Sequence, residues 1–177
     1  MEFKITDSLT SEDYSKVYDI MEESFPPNER RTRTEQMELL NDPKFKVYAV
    51  KTEETVKAFM TVWVIEDWMF IEHFAVDLKL RNEGIGKRFI TEMITKCNMR
   101  VCLEAEPPSE GEMAKRRIGF YRRNGFTLNE YPYKQPSITK GQAPVDLMIM
   151  TTGGEISETE FLRLKELLYR NVYKVKD

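Results

Sequence analysis

Residues 70–89 narrow the choice of folds more than any other stretch: Phe-Ile-Glu-His-Phe-Ala-Val-Asp-Leu-Lys-Leu-Arg-Asn-Glu-Gly-Ile-Gly-Lys-Arg-Phe. The first half is apolar and β-branched, and the second is a polar, glycine-bearing turn that opens a helical pattern. The order is therefore strand, tight loop, helix start. Gly84 and Gly86 lack a Cβ, so the backbone there can take unusual dihedrals and let a ligand approach closely. The first N–H groups of the helix that follows have no partner inside it. Unpaired donors at the positive end of a helix dipole favour an anion. Arg81 before the glycines and Lys87 and Arg88 after them suit phosphate. Residues 81–88 thus read as a pyrophosphate cradle, or as a plain strand-to-helix turn with solvated charges.

Two common phosphate loops are excluded. Gly84-Ile-Gly-Lys-Arg-Phe89 lacks the third glycine of the dinucleotide fingerprint, and no Gly-x-x-x-x-Gly-Lys-Ser/Thr occurs in the chain. The stretch resembles motif A of the GNAT superfamily of N-acetyltransferases, Gln/Arg-x-x-Gly-x-Gly/Ala after an apolar-Ala-Val strand. Here that pattern is Phe74-Ala75-Val76 followed by Arg81-Asn82-Glu83-Gly84-Ile85-Gly86. Downstream, Phe120-Tyr121-Arg122-Arg123-Asn124-Gly125-Phe126 resembles the family's helix-ending Phe-Tyr-x-x-x-Gly-Phe, and Leu103-Glu104-Ala105 its Leu-Glu-Val strand. The three segments stand in the family's order. The fold this resemblance implies is α/β (α+β): a mixed, mostly antiparallel sheet of six to seven strands flanked by helices, splayed between its two central strands.

The whole chain sets bounds consistent with that. Its 177 residues suit one domain, 1–177, long enough to bury a real core. A net charge of −3 argues against nucleic acid as a partner, since that binding rests on clustered positive charge. With no apolar run long enough for a membrane span and no signal pattern at the start, the expectation is a cytoplasmic protein without a membrane partner. Cys97 and Cys102 make neither a disulfide framework nor a ligand cluster, and His73 is the lone histidine, so no metal is expected.

In chain order, a first strand is expected at 2–5. A helix from Thr10 or Ser11 carries Tyr14, Val17, Tyr18, Met21 and Phe25 on one face, and Pro26-Pro27 ends it. The loop 28–33 is arginine-rich: a solvated connector, or, by resemblance, a border of the acceptor site together with the short helix at 34–41. Strands are expected at 45–50 and 55–65, joined by a turn at 51–54, with a further turn at Glu66-Asp67. The helix 85–97 presents Ile85, Phe89, Ile90, Met93, Ile94 and Cys97 to a core, which makes Cys97 a small buried hydrophobe. A strand at 100–106 sets Val101, Leu103 and Ala105 on one face and Cys102 and Glu104 on the other. The loop 107–111 and the helix 112–124 follow. Strands at 126–131 and 145–151 pair, with 132–136 as a connection that by resemblance lines the substrate. Ser157-x-x-Glu160 is a capping box opening an added C-terminal helix at about 157–173, with Phe161, Leu164, Leu168 and Tyr169 or Val172 on its inner face. That helix packs on the domain or on a second subunit, so the chain is read as a monomer or homodimer.

The resemblance also implies a chemistry. GNAT enzymes hold acetyl-CoA as co-substrate, and an acceptor amine attacks its thioester directly. An alkylamine with a pKa near 10.4 must lose a proton first, and a phenol near 10 can return one to the departing thiolate. Tyr121 matches the family's general acid and also borders the cofactor. Glu104 is first choice for the base, by likeness to ribosomal-protein alanine acetyltransferases, and Glu72 second; strand alternation turns His73 away from Glu72. Phe74, Ala75 and Val76 are expected to pair with the pantetheine amides, one N–H polarising the thioester carbonyl. Arg81, Asn82, Glu83, Gly84, Ile85, Gly86 and Lys87 are expected at the pyrophosphate. Where many members carry Asn and Ala before the tyrosine, this chain has Ala114 and Arg117, so Lys115 or Arg117 is the alternative phosphate contact. Glu72, Glu104 and Glu106 favour a small cationic amine as acceptor. Residues 24–30, 103–108 and 135–136 look like a bacterial subgroup of the family with unassigned substrate. A protein or peptide N-acetyltransferase and a non-catalytic acyl-CoA sensor are the rival readings.

Overall fold

The structure is a computed structural model that describes residues 3–53 and 55–176. Among these, the strands are β1 (Lys4–Thr6), β2 (Phe45–Lys51), β3 (Val56–Ile65), β4 (Trp68–Val76), β5 (Arg100–Ala105), β6 (Phe126–Gln135) and β7 (Val145–Thr152). The α-helices are α1 (Ser11–Ser24), α2 (Arg33–Glu38), α3 (Ile85–Lys96), α4 (Glu112–Arg123) and α5 (Glu158–Asn171). All seven strands belong to one sheet, in the order β1-β2-β3-β4-β5-β7-β6. β1 with β2, β2 with β3, β5 with β7 and β6 with β7 run antiparallel. This is the mixed, mostly antiparallel sheet flanked by helices expected from the sequence. By contacts the chain divides into two compact units: the residues up to Val64 with Ile71–Asn98, and Ile65–Phe70 with the residues from Met99 onward.

In the first unit, α1 starts at a complete capping box, Thr10 accepting from the Asp13 amide while the Asp13 carboxylate accepts from Thr10. Val17, Tyr18, Ile20 and Met21 form its buried face, and Phe25 caps it just ahead of Pro26. The expected helix at 34–41 is two pieces. α2 starts at a second capping box, Thr32 with Glu35, and gives way to a 3-10 turn at Leu39–Asn41. β1 begins at Lys4, with Phe3 outside it, and Glu2, like Glu54 of the expected turn at 51–54, lies outside the described residues. β3 is buried along almost its whole length, with Ala58, Phe59, Met60, Thr61, Val62 and Trp63 at 0 % exposure, as befits a central strand covered on both faces. Each such large side chain contributes about 1.5–3 kcal/mol by leaving water. Cys97 corrects the sequence reading. It caps α3 instead of continuing it and is only half-buried, its thiol donating to the Ile94 carbonyl at 3.5 Å.

In the second unit, β5 is buried on both faces: Cys102 is as inaccessible as Val101 and Leu103, so the one-sided alternation expected there does not hold. The loop at 107–111 contains a 3-10 turn, Pro108–Glu110. β6 runs on to Gln135, whereas the sequence suggested that a connection begins at Pro132. The register explains why. Asn129 faces Ile149 and Tyr133 faces Leu147, so β6 takes four steps where β7 takes two. The surplus residues around Pro132 form a bulge, where a residue without an N–H interrupts no ladder bond. α5 begins at the expected capping box of Ser157 and Glu160 and buries Phe161, Leu164 and Leu168. It packs against β6 of the same chain, with Phe161 5.0 Å from the Tyr131 ring and the Tyr169 hydroxyl donating to the Lys134 carbonyl.

Candidate active site

The glycine turn of the first unit has the geometry of an anion cradle. Asn82 (φ +69°) and Gly84 (φ +81°) both take left-handed backbone. Gly84 is the N-cap of α3 and no side chain caps the helix. The first intrahelical bond returns from the Arg88 amide to the Gly84 carbonyl at 3.1 Å, which leaves the amides of Ile85, Gly86 and Lys87 outside the helix ladder. A Cβ on Gly84 would meet nothing within 4 Å, so the space over the turn is open. A hollow of about 270 Å³ adjoins it, lined by Phe3, Val50, Thr52, Lys57, Glu83, Gly84, Ile85 and Arg88. The flanking cations are arranged differently from one another. Lys87 points to solvent, Arg88 lies over the Phe3 ring at 4.0 Å and pairs with Glu92 at 2.9 Å, and Arg81 folds back onto the Val76 carbonyl (3.3 Å) and Ser24 (3.1 Å). In the strand before the turn Ala75 is buried, while Phe74 and Val76 are half-buried on the other face.

Glu72 sits in the same unit, and its side chain is 1 % exposed. Arg31 pairs with it at 2.7 Å, Trp63 Nε1 donates to its second oxygen at 3.1 Å, and His73 Nδ1 approaches to 3.8 Å. Burial pushes this carboxyl up, but the charge of Arg31 and the bonds from Arg31 and Trp63 outweigh it and hold it below the usual glutamate value. Glu72 is thus a committed anion. Arg31 is the part the sequence did not single out: one arginine of a loop that reads as a solvated connector is in fact 8 % exposed, its carbonyl held by the Tyr18 hydroxyl at 2.5 Å. The alternation that turns His73 from Glu72 does not separate their side chains fully. His73 is fixed by other bonds, its amide donating to Thr61 Oγ at 3.0 Å and its Nε2 bonded to the Glu29 carbonyl at 2.7 Å, with the Phe25 ring 4.8 Å away. Burial keeps the imidazole below its ordinary pKa, so it is neutral near pH 7.

The second unit holds the other two candidates. Glu104 accepts from the Tyr133 hydroxyl, from Gln135 Nε2 at 2.6 Å, and from the Tyr173 hydroxyl at 2.7 Å to each of its oxygens. The bulge in β6 contributes to this. Glu104 and Asn129 both face Ile149, and the extra residues set Tyr133 opposite Leu147, one same-face rung along from Ile149 instead of two. Burial, then the Glu104 charge, raises the Tyr133 hydroxyl far above an ordinary phenol, so it stays a donor. Tyr121 lies near the end of α4, between Phe120 (5.4 Å) and Phe126 (5.6 Å). Burial pushes its hydroxyl up to about 12, only partly countered by Arg117. Tyr18, Tyr131, Tyr133, Tyr169 and Tyr173 all donate their hydroxyl protons, whereas the Tyr121 hydroxyl has no hydrogen bond among the described residues. Lys115 pairs with Glu112 at 2.9 Å and Arg117 with Glu106 at 3.1 Å, both exposed pairs that a phosphate could displace. Nothing in the local sequence marks Tyr133, Gln135 and Tyr173 as partners of Glu104.

Residues 43–128 match the family model of the acetyltransferase (GNAT) domain. A protein from Bacteroides thetaiotaomicron assigned to the GNAT acetyltransferase family is 32 % identical and superposes with a TM-score of 0.90 over 99 % of this chain and 100 % of its own. The ribosomal-protein-S18-alanine N-acetyltransferase of Escherichia coli shares the fold at 17 % identity, with a TM-score of 0.62 over 88 % of this chain and 96 % of that one. An acetyltransferase from Bacillus subtilis solved with coenzyme A does so at 14 % identity and a TM-score of 0.56, over 85 % and 98 %. No curated protein matches the sequence.

Proposed function

Because this chain belongs to the GNAT acetyltransferase family and is an acyltransferase, we propose that it moves the acetyl group of acetyl-CoA onto a primary amine of a small cationic acceptor. The observation that carries this is the uncapped start of α3: Gly84 with open space above it and the Ile85, Gly86 and Lys87 amides outside the helix ladder form a cradle for a pyrophosphate. Acetyl-CoA supplies the acetyl group as a thioester. Arg81 to Lys87 hold its phosphates, and the backbone of Phe74 to Val76 takes the pantetheine amides. Lys115 and Arg117 are the cations of α4 available to its remaining phosphate.

Glu104 is the base in this reading. It takes a proton from the ammonium acceptor, directly or through one water, and frees the lone pair that forms the C–N bond. As the C–S bond breaks, the Tyr121 hydroxyl donates to the departing sulfur and regains a proton from the new amide nitrogen, which gives up the second of its protons. A phenol held near 12 keeps its proton at any pH the enzyme meets, and its hydroxyl makes no hydrogen bond among the described residues. Glu72 is the weaker candidate for the base, since the Arg31 charge paired with it lowers its affinity for a proton. A cationic acceptor follows from the same carboxylates. An ammonium group is drawn to the negative charge of Glu104, the carboxylate that this reading makes the base.

Isothermal titration with acetyl-CoA and coenzyme A, followed by thiol release across small amines, polyamines, aminoglycosides and peptides with free α-amines, tests the reading. Micromolar binding with release on a small cation is the expected result. Release on peptides alone would transfer the assignment to a peptide acetyltransferase, and binding without release would leave an acyl-CoA sensor. Absence of binding would overturn the cradle itself.

A further inference from the structure

We infer that the segment following α5 supplies a positioning residue, Tyr173, which orients the Glu104 carboxylate and keeps it charged; the inference rests on Glu104 acting as the base. α5 is not loosely appended. Phe161, Leu164, Leu168 and, past its end, Val172 are each no more than 2 % exposed. The chain then turns at once: the Tyr173 amide returns to the Leu168 carbonyl at 3.2 Å and the Val175 amide to the Tyr169 carbonyl at 2.9 Å. Lys174 takes φ +54°, a left-handed conformation that residues with a Cβ hold only where their surroundings fix it. This turn puts the Tyr173 hydroxyl 2.7 Å from both oxygens of Glu104. Gln135 Nε2 closes the arrangement, donating to Glu104 at 2.6 Å and to the Tyr173 oxygen at 3.1 Å. One donor shared between both carboxylate oxygens leaves the group little freedom to rotate, and a bond to the ionised form makes protonation harder. Among the titratable groups that feel this charge are the Tyr133 and Tyr169 hydroxyls and the Cys102 thiol. Burial first and Glu104 second push all three up, so they remain neutral while Glu104 titrates.

The test is a titration of the full chain carrying ¹³C-labelled glutamate, with the Glu104 carboxyl resonance assigned by its loss in Glu104→Gln. In Tyr173→Phe the midpoint of that resonance is expected to rise by about one pH unit, with the thermal midpoint nearly unchanged. Tyr173→Gln, which restores a donor, is expected to bring it part of the way back. An unmoved midpoint in Tyr173→Phe, or an equal rise in Tyr173→Gln, would show that the tyrosine only packs and would overturn the inference. The titration needs no turnover, so it separates the two levels. A raised midpoint together with an equal rise in the acid limb of kcat/KM upholds both Tyr173 and the base assignment. A raised midpoint in a protein that releases no thiol with any amine upholds Tyr173 and defeats the acetyltransferase mechanism built on Glu104.

Discussion

Replacing Arg31 by methionine isolates the buried ion pair with Glu72. The two side chains are 9 % and 1 % exposed and 2.7 Å apart. Methionine keeps much of the aliphatic stem of arginine and deletes the charge, leaving a buried carboxylate with Trp63 as its remaining donor. Removing one partner of such a pair costs about 3–5 kcal/mol. For a chain of 177 residues, at roughly 2–4 °C per kcal/mol, that lowers Tm by roughly 6–20 °C. The loss depends on pH with a definite sign. The Glu72 carboxyl is held below its unfolded value, so the stability it contributes is present above that unfolded value, near 4.3, and is lost as pH falls through the folded one. Denaturant unfolding of wild type and Arg31→Met at pH 7 and pH 4 should therefore show a gap that narrows at the lower pH, where the stranded carboxylate takes up a proton. Adding Glu72→Gln should restore most of the stability, because the charge left behind, not the lost contact, carries most of the cost. A gap below about 1 kcal/mol, one independent of pH, or a double variant equal to the sum of the singles would refute the electrostatic account.

Tyr121→Phe should lower kcat by about 10²–10⁴-fold while the acetyl-CoA Kd from titration calorimetry stays within about twofold; equal losses in both would make Tyr121 a packing residue. Gly84→Ala has room for its methyl group but must hold φ +81°, so unfolding should show about 1–2 kcal/mol of lost stability. Its acetyl-CoA Kd should rise at least about tenfold as the new Cβ enters the ligand's space, and an unchanged Kd would move the pyrophosphate elsewhere. His73, kept neutral mainly by burial, takes up its proton more readily unfolded than folded, so wild-type stability should decline as pH falls below the unfolded value near 6.5. In His73→Gln that slope between pH 7 and 5 should flatten, and an unaltered slope would assign the effect to another group.

What the sequence disclosed and what it hid divide along physical lines. Residues 70–89 declared their strand, turn and helix because every signal there is local: apolar run, glycines, first helical turn. Ser157 and Glu160 declared a helix start for the same reason. Arg31 was opaque, since an arginine in a polar loop is identical in sequence whether it meets water or a carboxylate 41 residues away. Pro132 misled because a strand breaker and a bulge residue carry the same one-letter signal, and only the pairing of Tyr133 with Leu147 tells them apart. Tyr173 is further still from any local cue, 69 residues from the carboxylate it touches.

Among the described residues, three of the five α-helices close their own first turns, through Thr10 with Asp13, Thr32 with Glu35, and Ser157 with Glu160, while α3 and α4 begin at Gly84 and Gly111 with no side chain to do so. Each capping carboxylate occupies the ground an incoming phosphate would need, and repels it as well. By subtraction, the α-helix starts that carry no capping carboxylate among the described residues are the two glycine starts, one in each unit.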